Sequence, residues 1–437
     1  MSGQDHSRQS RRDILMKGSS ALAGTVLLAG CSGTEGAGGQ AETETETPTD
    51  TATSTPGDDS DGTETTTENR YTAAMEPVGE LTLDEPPEFV IGGWGFVADV
   101  LTALGHGDKI KAMRRANGAF WFTRFYEELP GVPVRDLVGM PAIQTRSRDL
   151  KREYLFGLDA DLFAIDPNTL IASHGLSHQD ISTLEDRVAP FFGNDSRDKR
   201  GTGWPNYPDE ESYPYYTIPE FVEKYGELFG EREKAAELNE FYENAIDRIL
   251  SDVPDEKRNV AHMSAMRNPE DAGFYAVSQP TPDHDLPTYA RKQYREIGVE
   301  DAFAGEYEGG TLSRHGNLQI DSEKLAAIDP EVIIFSEGVR FKYGDEDRMN
   351  YGNLYGATLE VIKSDPVTKG ITAVKEGNLY AGGTGTQGPI INLFQTEMLA
   401  KQLYPETFGE WHGIGETPTD EQLFDRERLA EIITGTA

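Results

Sequence analysis

Leu158-Asp159-Ala160-Asp161-Leu162-Phe163-Ala164-Ile165-Asp166 recurs 170 residues later as Ile328-Asp329-Pro330-Glu331-Val332-Ile333-Ile334-Phe335-Ser336. In each copy a helical stretch, Arg148 to Leu158 or Ser322 to Ile328, leads through a two-residue turn into a short apolar run. Such a run, bounded by turn residues, reads as a strand buried on both faces. Glu153 and Glu323 stand at matching places, eight residues before Asp161 and Glu331. Helix, turn, buried strand and acid in one register predict two lobes built on one design.

The pattern continues on either side. Phe89 to Gly93 reads as a strand, and Phe96 to Leu104 as a helix with apolar residues at 96, 97, 100, 101 and 104, closed by Gly105. Lys109 to Met113 and Asn259 to Ser264 read as further strands. Alternating β and α units predict an α/β fold: two Rossmann-like lobes with mainly parallel central sheets. Between the lobes, Thr217-Ile218-Pro219-Glu220 is a capping box, opening a helix that ends between Gly226 and Gly230. Glu231 to Val253 then lacks Gly and Pro, and its apolar positions 235, 238, 242, 245 and 249 recur at helical spacing. About 20 residues at 1.5 Å each span roughly 30 Å, the width of a small domain. The expected division is an N-terminal lobe over 71–230, a backbone helix over 231–254 and a C-terminal lobe over 255–437.

The first seventy residues read as an address and a tether. Ser10-Arg11-Arg12-Asp13-Ile14-Leu15-Met16-Lys17 precedes a short apolar stretch ending at Gly30, the form of a twin-arginine export signal over 1–30. Leu28-Ala29-Gly30-Cys31 looks like a lipobox, with Cys31 as the lipidated thiol. From residue 32 to 70 there are 12 Thr, 6 Glu, 4 Asp and 6 Gly with almost nothing apolar. That composition cannot offset the entropy of ordering, so 31–70 reads as a disordered, self-repelling linker.

Composition narrows the function. The 437 residues carry 76 Asp+Glu against 40 Lys+Arg, a formal charge of −36, which argues against nucleic acid as a partner. The acid excess is spread along the chain and resembles the surfaces of proteins that work in high salt, where a Debye length of about 3 Å at 1 M removes most self-repulsion. The single cysteine excludes a disulfide framework and a multi-thiolate metal site. No apolar run reaches the length of a membrane-spanning helix.

An exported lipoprotein with two βαβ lobes and a connecting helix resembles the ABC-transporter substrate-binding proteins of the helical-backbone type, which take up ferric siderophores, haem and cobalamin. The likeness rests on Phe89 to Gly107 and the following Asp108-Lys109-Ile110, on Gly139 ahead of the Leu158 unit, and on Phe229-Gly230-Glu231-Arg232-Glu233-Lys234-Ala235. It rests also on Asp365-Pro366-Val367, on Ala373 to Tyr380, and on Gly388-Pro389 through Leu403-Tyr404-Pro405-Glu406. With the acidic surface and the signal, the chain is similar to haloarchaeal twin-arginine lipoproteins of that class. The resemblance implies a monomer on the outer face of the membrane that delivers a small chelate to an ABC permease dimer. It implies no catalysis and no cofactor of its own, the ligand being an iron chelate. It also implies docking through one glutamate on each lobe, here Glu153 and Glu323. Tyr- and Pro-rich 204–217 and insertion-like 340–356 depart from the pattern and leave siderophore, haem and cobalamin open.

The ligand is then expected between the lobes, on loops that follow the strands. An anionic, broad-faced chelate calls for aromatic planes and convergent cations. Trp94, Arg114, Arg115, Trp121 and Arg124 follow the first two strands; Arg267, Tyr275, Arg314, His315, Arg340 and Gln387 are their candidates in the second lobe. Arginines clustered against the global charge are the informative ones. His174 and His178, at i and i+4, are a weak metal pair with a glycine between them. Gly383-Thr384-Gly385-Thr386-Gln387-Gly388 matches a dinucleotide fingerprint in letters only, since no βαβ unit follows it, and reads as framing the cleft mouth. Asn194-Asp195-Ser196 is the one glycosylation sequon. No GxSxG, HExxH or P-loop pattern occurs, which leaves a surface-anchored hydrolase as the second class.

Overall fold

The apolar runs become short parallel strands in a computed structural model that describes residues 71–115, 122–135, 137, 139–145, 149–195, 214, 216–264, 274–277, 292–306, 318–339 and 354–436. An antiparallel hairpin of β1 (Tyr71–Met75) and β2 (Gly79–Leu83) comes first. In the next sheet β3 (Val90–Gly92) lies between β4 (Ile110–Met113) and β5 (Leu162–Ala164), all parallel. Parallel bridges Met113 to Ala142 and Phe163 to Phe191 widen it at both edges. Side chains alternate across the sheet, so Val90, Ile110 and Leu162 enter one core while Ile91, Ala112 and Phe163 enter another. Burial on both faces explains the unbroken apolar runs.

The helices of this half are α1 (Gly95–Ala103), α2 (Phe122–Tyr126), α3 (Arg152–Phe156), α4 (Pro167–His174), α5 (His178–Arg187) and α6 (Ile218–Phe229). The helix expected from Arg148 starts only at Arg152. Leu150 bridges antiparallel to Gln144, which holds the chain extended until Lys151. The Thr217 capping box opens α6, and Gly230 closes it at φ 75°, packed so tightly on the Tyr71 ring that a side chain there would collide. One 20-residue helix, α7 (Arg232–Ser251), follows.

The second half holds β6 (Asn259–Ser264), β7 (Phe274–Val277), α8 (Lys292–Ile297), β8 (Glu300–Asp301), β9 (Leu318–Asp321), α9 (Ser322–Ile328), β10 (Val332–Ser336), α10 (Leu354–Ser364), α11 (Thr372–Glu376) and β11 (Leu379–Ala381). It ends in α12 (Pro389–Leu403), α13 (Pro405–Phe408) and α14 (Arg426–Thr434). Strands β11, β10 and β6 are parallel neighbours, β8 joins β6 in parallel, and β7 and β9 add antiparallel edges. The α/β class with mainly parallel sheets in two lobes is the one read from the repeat.

Helix α12 ties the halves together. All of its residues are buried, including Asn392, Gln395, Glu397, Lys401 and Gln402, and it packs against α1, α2 and α6 as well as α7 and α8. Buried polar groups of this kind must be paired. At its amino end the Asp99 carboxylate, carried on α1, accepts from the Ile391 amide at 3.1 Å and from the Tyr126 hydroxyl at 2.7 Å. Burial nonetheless pushes Asp99 up to about 7, because desolvation outweighs those hydrogen bonds. Midway along, Tyr242 of α7 donates to Asn392 Oδ1 at 2.5 Å. Further on, Arg426 pairs with Glu397 at 2.8 Å and with Glu128 of the first half, its guanidinium 5.0 Å from the Phe394 ring centroid. Burial raises Glu128 to about 7, although the Arg426 charge pulls the other way. Among the described residues no helix is long and apolar enough to cross a membrane.

Candidate functional site

Trp94 and Arg114 stand at the carboxyl ends of the adjacent strands β3 and β4, which brings them together. Trp94 leaves β3 through Gly92 and Gly93 and caps α1, while the Arg114 amide donates to the Gly92 carbonyl at 2.7 Å. The Arg114 guanidinium lies 3.9 Å from the Trp94 ring centroid, and that of Arg115 lies 6.0 Å away. Arg114 is 2% exposed, whereas Trp94 and Arg115 are half-buried. A desolvated cation on a tryptophan face contributes about 2 kcal/mol. The buried arginine thus fixes the ring from beneath and charges the site from within.

Other groups converge on the same strand ends. Arg115 Nε donates to Gln144 Oε1 at 3.1 Å, and the Gln144 amide meets the His174 ring at the end of α4. Trp94 Nε1 donates to Asp195 Oδ2 at 2.9 Å, and the Thr169 hydroxyl reaches that same oxygen. The Asp195 amide in turn donates to Asp166, which caps α4 at the end of the β5 segment. An aromatic face with cations on one side and carboxylates on the other can hold a flat or polyoxygenated ligand and discriminate its edges. Trp94, Arg114 and Arg115, singled out in the sequence, lie together here. Gln144, Thr169 and Asp195 join them without a sequence signal; among their partners only Asp166, an acid before a proline at a strand end, carries one.

Several candidates have other surroundings. Gln387 is fully buried rather than at a cleft mouth. Its Nε2 donates to Gln293 Oε1 at 2.9 Å, and its Oε1 accepts from Asn392 and Gln395 of α12. The glycine-rich 383–388 loop packs inward too: a Cβ at Gly383 would run into Gln395, and one at Gly388 into Asp99. Arg124 is exposed and pairs with Glu127 at 3.0 Å. Asn194 is 1% exposed, and its Nδ2 donates to the Glu76 carbonyl at 2.6 Å and the Pro214 carbonyl at 3.3 Å. That nitrogen, the one a glycan would occupy, is engaged by both carbonyls in the folded domain. His174 and His178 fall on different helices, separated by the left-handed Gly175, and no metal-ligating cluster occurs among the described residues. Cys31, Trp121, Arg267, Arg314, His315, Arg340 and the Tyr275 side chain lie outside the described residues.

Glu153 and Glu323 are exposed, each in the first turn of its helix. Helix α9 begins where β9 ends, and β9 runs in the same direction as β6 and β10, so Glu323 sits at the carboxyl edge of its sheet.

Comparison with known proteins gives the following. A family model described as periplasmic binding protein matches residues 95–384. The solved structure of the periplasmic binding protein FepB of Veillonella parvula is similar at 19% identity, TM-score 0.49, covering 82% of this chain and 93% of that one. The petrobactin-binding protein YclQ of Bacillus subtilis is similar at 16% identity, TM-score 0.46, covering 76% and 96%. Helicobacter pylori CeuE is similar at 14% identity, TM-score 0.47, covering 83% and 95%. No curated protein matches the chain. The family model spans well over half of the sequence and both halves of the fold, and the chain belongs to the periplasmic binding protein family.

Proposed function

We propose that this chain is a lipid-anchored solute-binding protein on the outer face of the membrane, which captures a ferric siderophore or related chelate and delivers it to an ABC permease dimer. The family supplies the solute-binding role and the extracytoplasmic setting. The observation that carries the ligand class is the Trp94–Arg114–Arg115 cluster, a concentration of positive charge on an aromatic plane in a chain of net charge −36. Anionic oxygens of a chelate would pair with Arg115 while its flat face lies on Trp94, and Arg114 would hold the ring in place. Arg267, Arg314, His315, Arg340, Trp121 and Tyr275 complete the binding surface in this reading. The lobes are residues 71–230 and 255–437, joined by the helix over 231–254; Glu153 and Glu323 dock on the permease, and Cys31 carries the lipid.

The test is ligand titration followed by tryptophan fluorescence, with mass spectrometry of whatever co-purifies. Removing a charge-assisted hydrogen bond costs about 1.5–3 kcal/mol, so Arg115→Ala is expected to weaken chelate binding roughly 10- to 150-fold. Unchanged affinity in Arg115→Ala and Trp94→Leu together would refute this site.

A further inference from the structure

Helix α4 touches the site at both of its ends. Its cap, Asp166, is 0% exposed; one carboxylate oxygen accepts from the Asn168 amide at 2.9 Å and the other from the Asp195 amide at 2.8 Å. In the first turn the Thr169 hydroxyl donates to Asp195 Oδ2, the same oxygen that accepts from Trp94 Nε1 at 2.9 Å. At the last residue the His174 ring meets the Gln144 amide. Gln144 Oε1 already accepts from Arg115 Nε at 3.1 Å, so its Nε2 is the donor and His174 Nε2 the acceptor. The helix is itself fixed. Leu170 is buried in the core that holds Phe163 and Phe191, and the left-handed Gly175 closes the last turn, its amide donating to the Ile171 carbonyl at 3.0 Å.

We propose that α4 sets the binding geometry of the site: Thr169, through Asp195, fixes the Trp94 plane, and His174, through Gln144, fixes the Arg115 guanidinium. Both are positioning residues, since each reaches the site through another side chain. Thr169 and His174 are five residues apart, about 7.5 Å along a helix axis. The Arg115 guanidinium lies 6.0 Å from the Trp94 ring centroid, so one helix matches the separation of plane and cation. A half-buried tryptophan and a long arginine otherwise lose rotamer freedom when a ligand binds; holding them in advance removes that cost. The site is thereby selective for one spacing of flat face and anionic edge. This rests on the reading of Trp94 and Arg115 as ligand contacts, and names what holds them.

The first test needs no ligand. It is fluorine NMR of the full chain carrying fluorotryptophan, with the Trp94 resonance assigned by its loss in Trp94→Leu. Thr169→Val should shift or broaden that resonance, and Thr169→Ser, which keeps the hydroxyl, should leave it in place. The second is titration with ferric acetohydroxamate and ferric catecholate, with a circular dichroism melt of each variant as the check on folding. Removing one hydrogen bond behind a contact should weaken binding roughly 3- to 10-fold, in Thr169→Val and His174→Leu alike. His174→Gln, which can still accept from Gln144, should recover most of that loss. The losses should not add: Thr169→Val in a Trp94→Leu chain, and His174→Leu in an Arg115→Ala chain, should each cost less than about twofold more. Fully additive losses in those backgrounds would overturn the proposal, because general support of the fold does not act through one side chain. An unmoved Trp94 resonance in Thr169→Val would overturn it as well. Wild-type affinity in Thr169→Val and His174→Leu, while Trp94→Leu and Arg115→Ala bind weakly, would overturn it and leave the site intact. Wild-type affinity in Trp94→Leu combined with Arg115→Ala, or no binding of either chelate by the unaltered chain, would refute the ligand reading itself, and the proposal with it.

Discussion

Replacing Arg426 by methionine removes the cation that pairs directly with both Glu128 and Glu397. The side chains of Arg426, Glu128 and Glu397 are 6%, 2% and 0% exposed, so water cannot take over the task. Each carboxylate keeps one further partner: Glu128 accepts from the Gly415 amide at 2.8 Å, and Glu397 accepts from the Leu423 amide at 2.8 Å. One backbone hydrogen bond does not compensate a buried negative charge, and here two such charges would face each other. Breaking a buried pair by deleting one partner costs about 3–5 kcal/mol. Methionine keeps apolar contact with Phe394 and Phe424, so lost packing adds little. At roughly 2 °C per kcal/mol for a domain of this size, the midpoint should fall by about 6–10 °C. The assay is a thermal melt by circular dichroism at pH 8 in molar KCl. The loss should persist in high salt, since a buried group is screened far less than a surface pair. It should shrink near pH 6, where Glu128, raised to about 7, takes up a proton. Arg426→Met combined with Glu128→Gln should recover part of the loss by removing one of the two stranded charges. A single mutant melting within about 2 °C of wild type would refute the reasoning, because it would mean that the triad stabilises nothing.

The other predictions are smaller in scope. Asp99 titrates near 7 in the folded chain against 3.8 ordinarily, so the native state holds a proton that the unfolded chain has released between about pH 4 and 7. Its contribution to stability therefore falls as pH rises through that window, by up to about 1.4 kcal/mol per pH unit. Asp99→Asn should flatten the dependence of the melting midpoint on pH; an unaltered slope would rule this out. Gly383→Ala forces a methyl into the Gln395 side chain and should lower the midpoint by several degrees in the same melts. Asn194→Asp, which removes both donors to Glu76 and Pro214, should cost about 1–3 kcal/mol in a denaturant titration, with no change in mass from a lost glycan. Cys31→Ser should move the chain from the membrane fraction to the medium, followed by immunoblot of the two fractions.

The fold was legible where the signal is local. The Leu158 and Ile328 units combine an apolar run, an acidic turn and a preceding helix within about fifteen residues, and both run into buried parallel strands. The Thr217 box and the Gly230 stop bound α6 by the same local chemistry. What escaped depends on distant partners. Helix α12 carries Asn392, Gln395, Glu397, Lys401 and Gln402, which by themselves suggest an exposed face. Their burial follows from Gln387, Arg426 and backbone carbonyls such as Phe408 and Ala381, which no spacing rule connects to them. Asn194 reads as a sequon because three residues cannot report the carbonyls of Glu76 and Pro214 around it. The site followed the same rule. Trp94 and Arg114 were visible as side chains just beyond strands, whereas Gln144 and Asp195 enter through loops that carry no pattern.

The position of α12 in the chain also governs when the protein can fold. Asp99 and Glu128 belong to the first half; Tyr126 reaches Asp99 from the same half, but the Ile391 amide and the Gly415 and Arg426 partners of Glu128 come from the second. Until residues 391 to 426 are made, the N-terminal half lacks these partners and the cover of α12. Contacts of such long sequence separation close late. The two halves share the helix that closes their core, so they are expected to complete it together rather than one after the other.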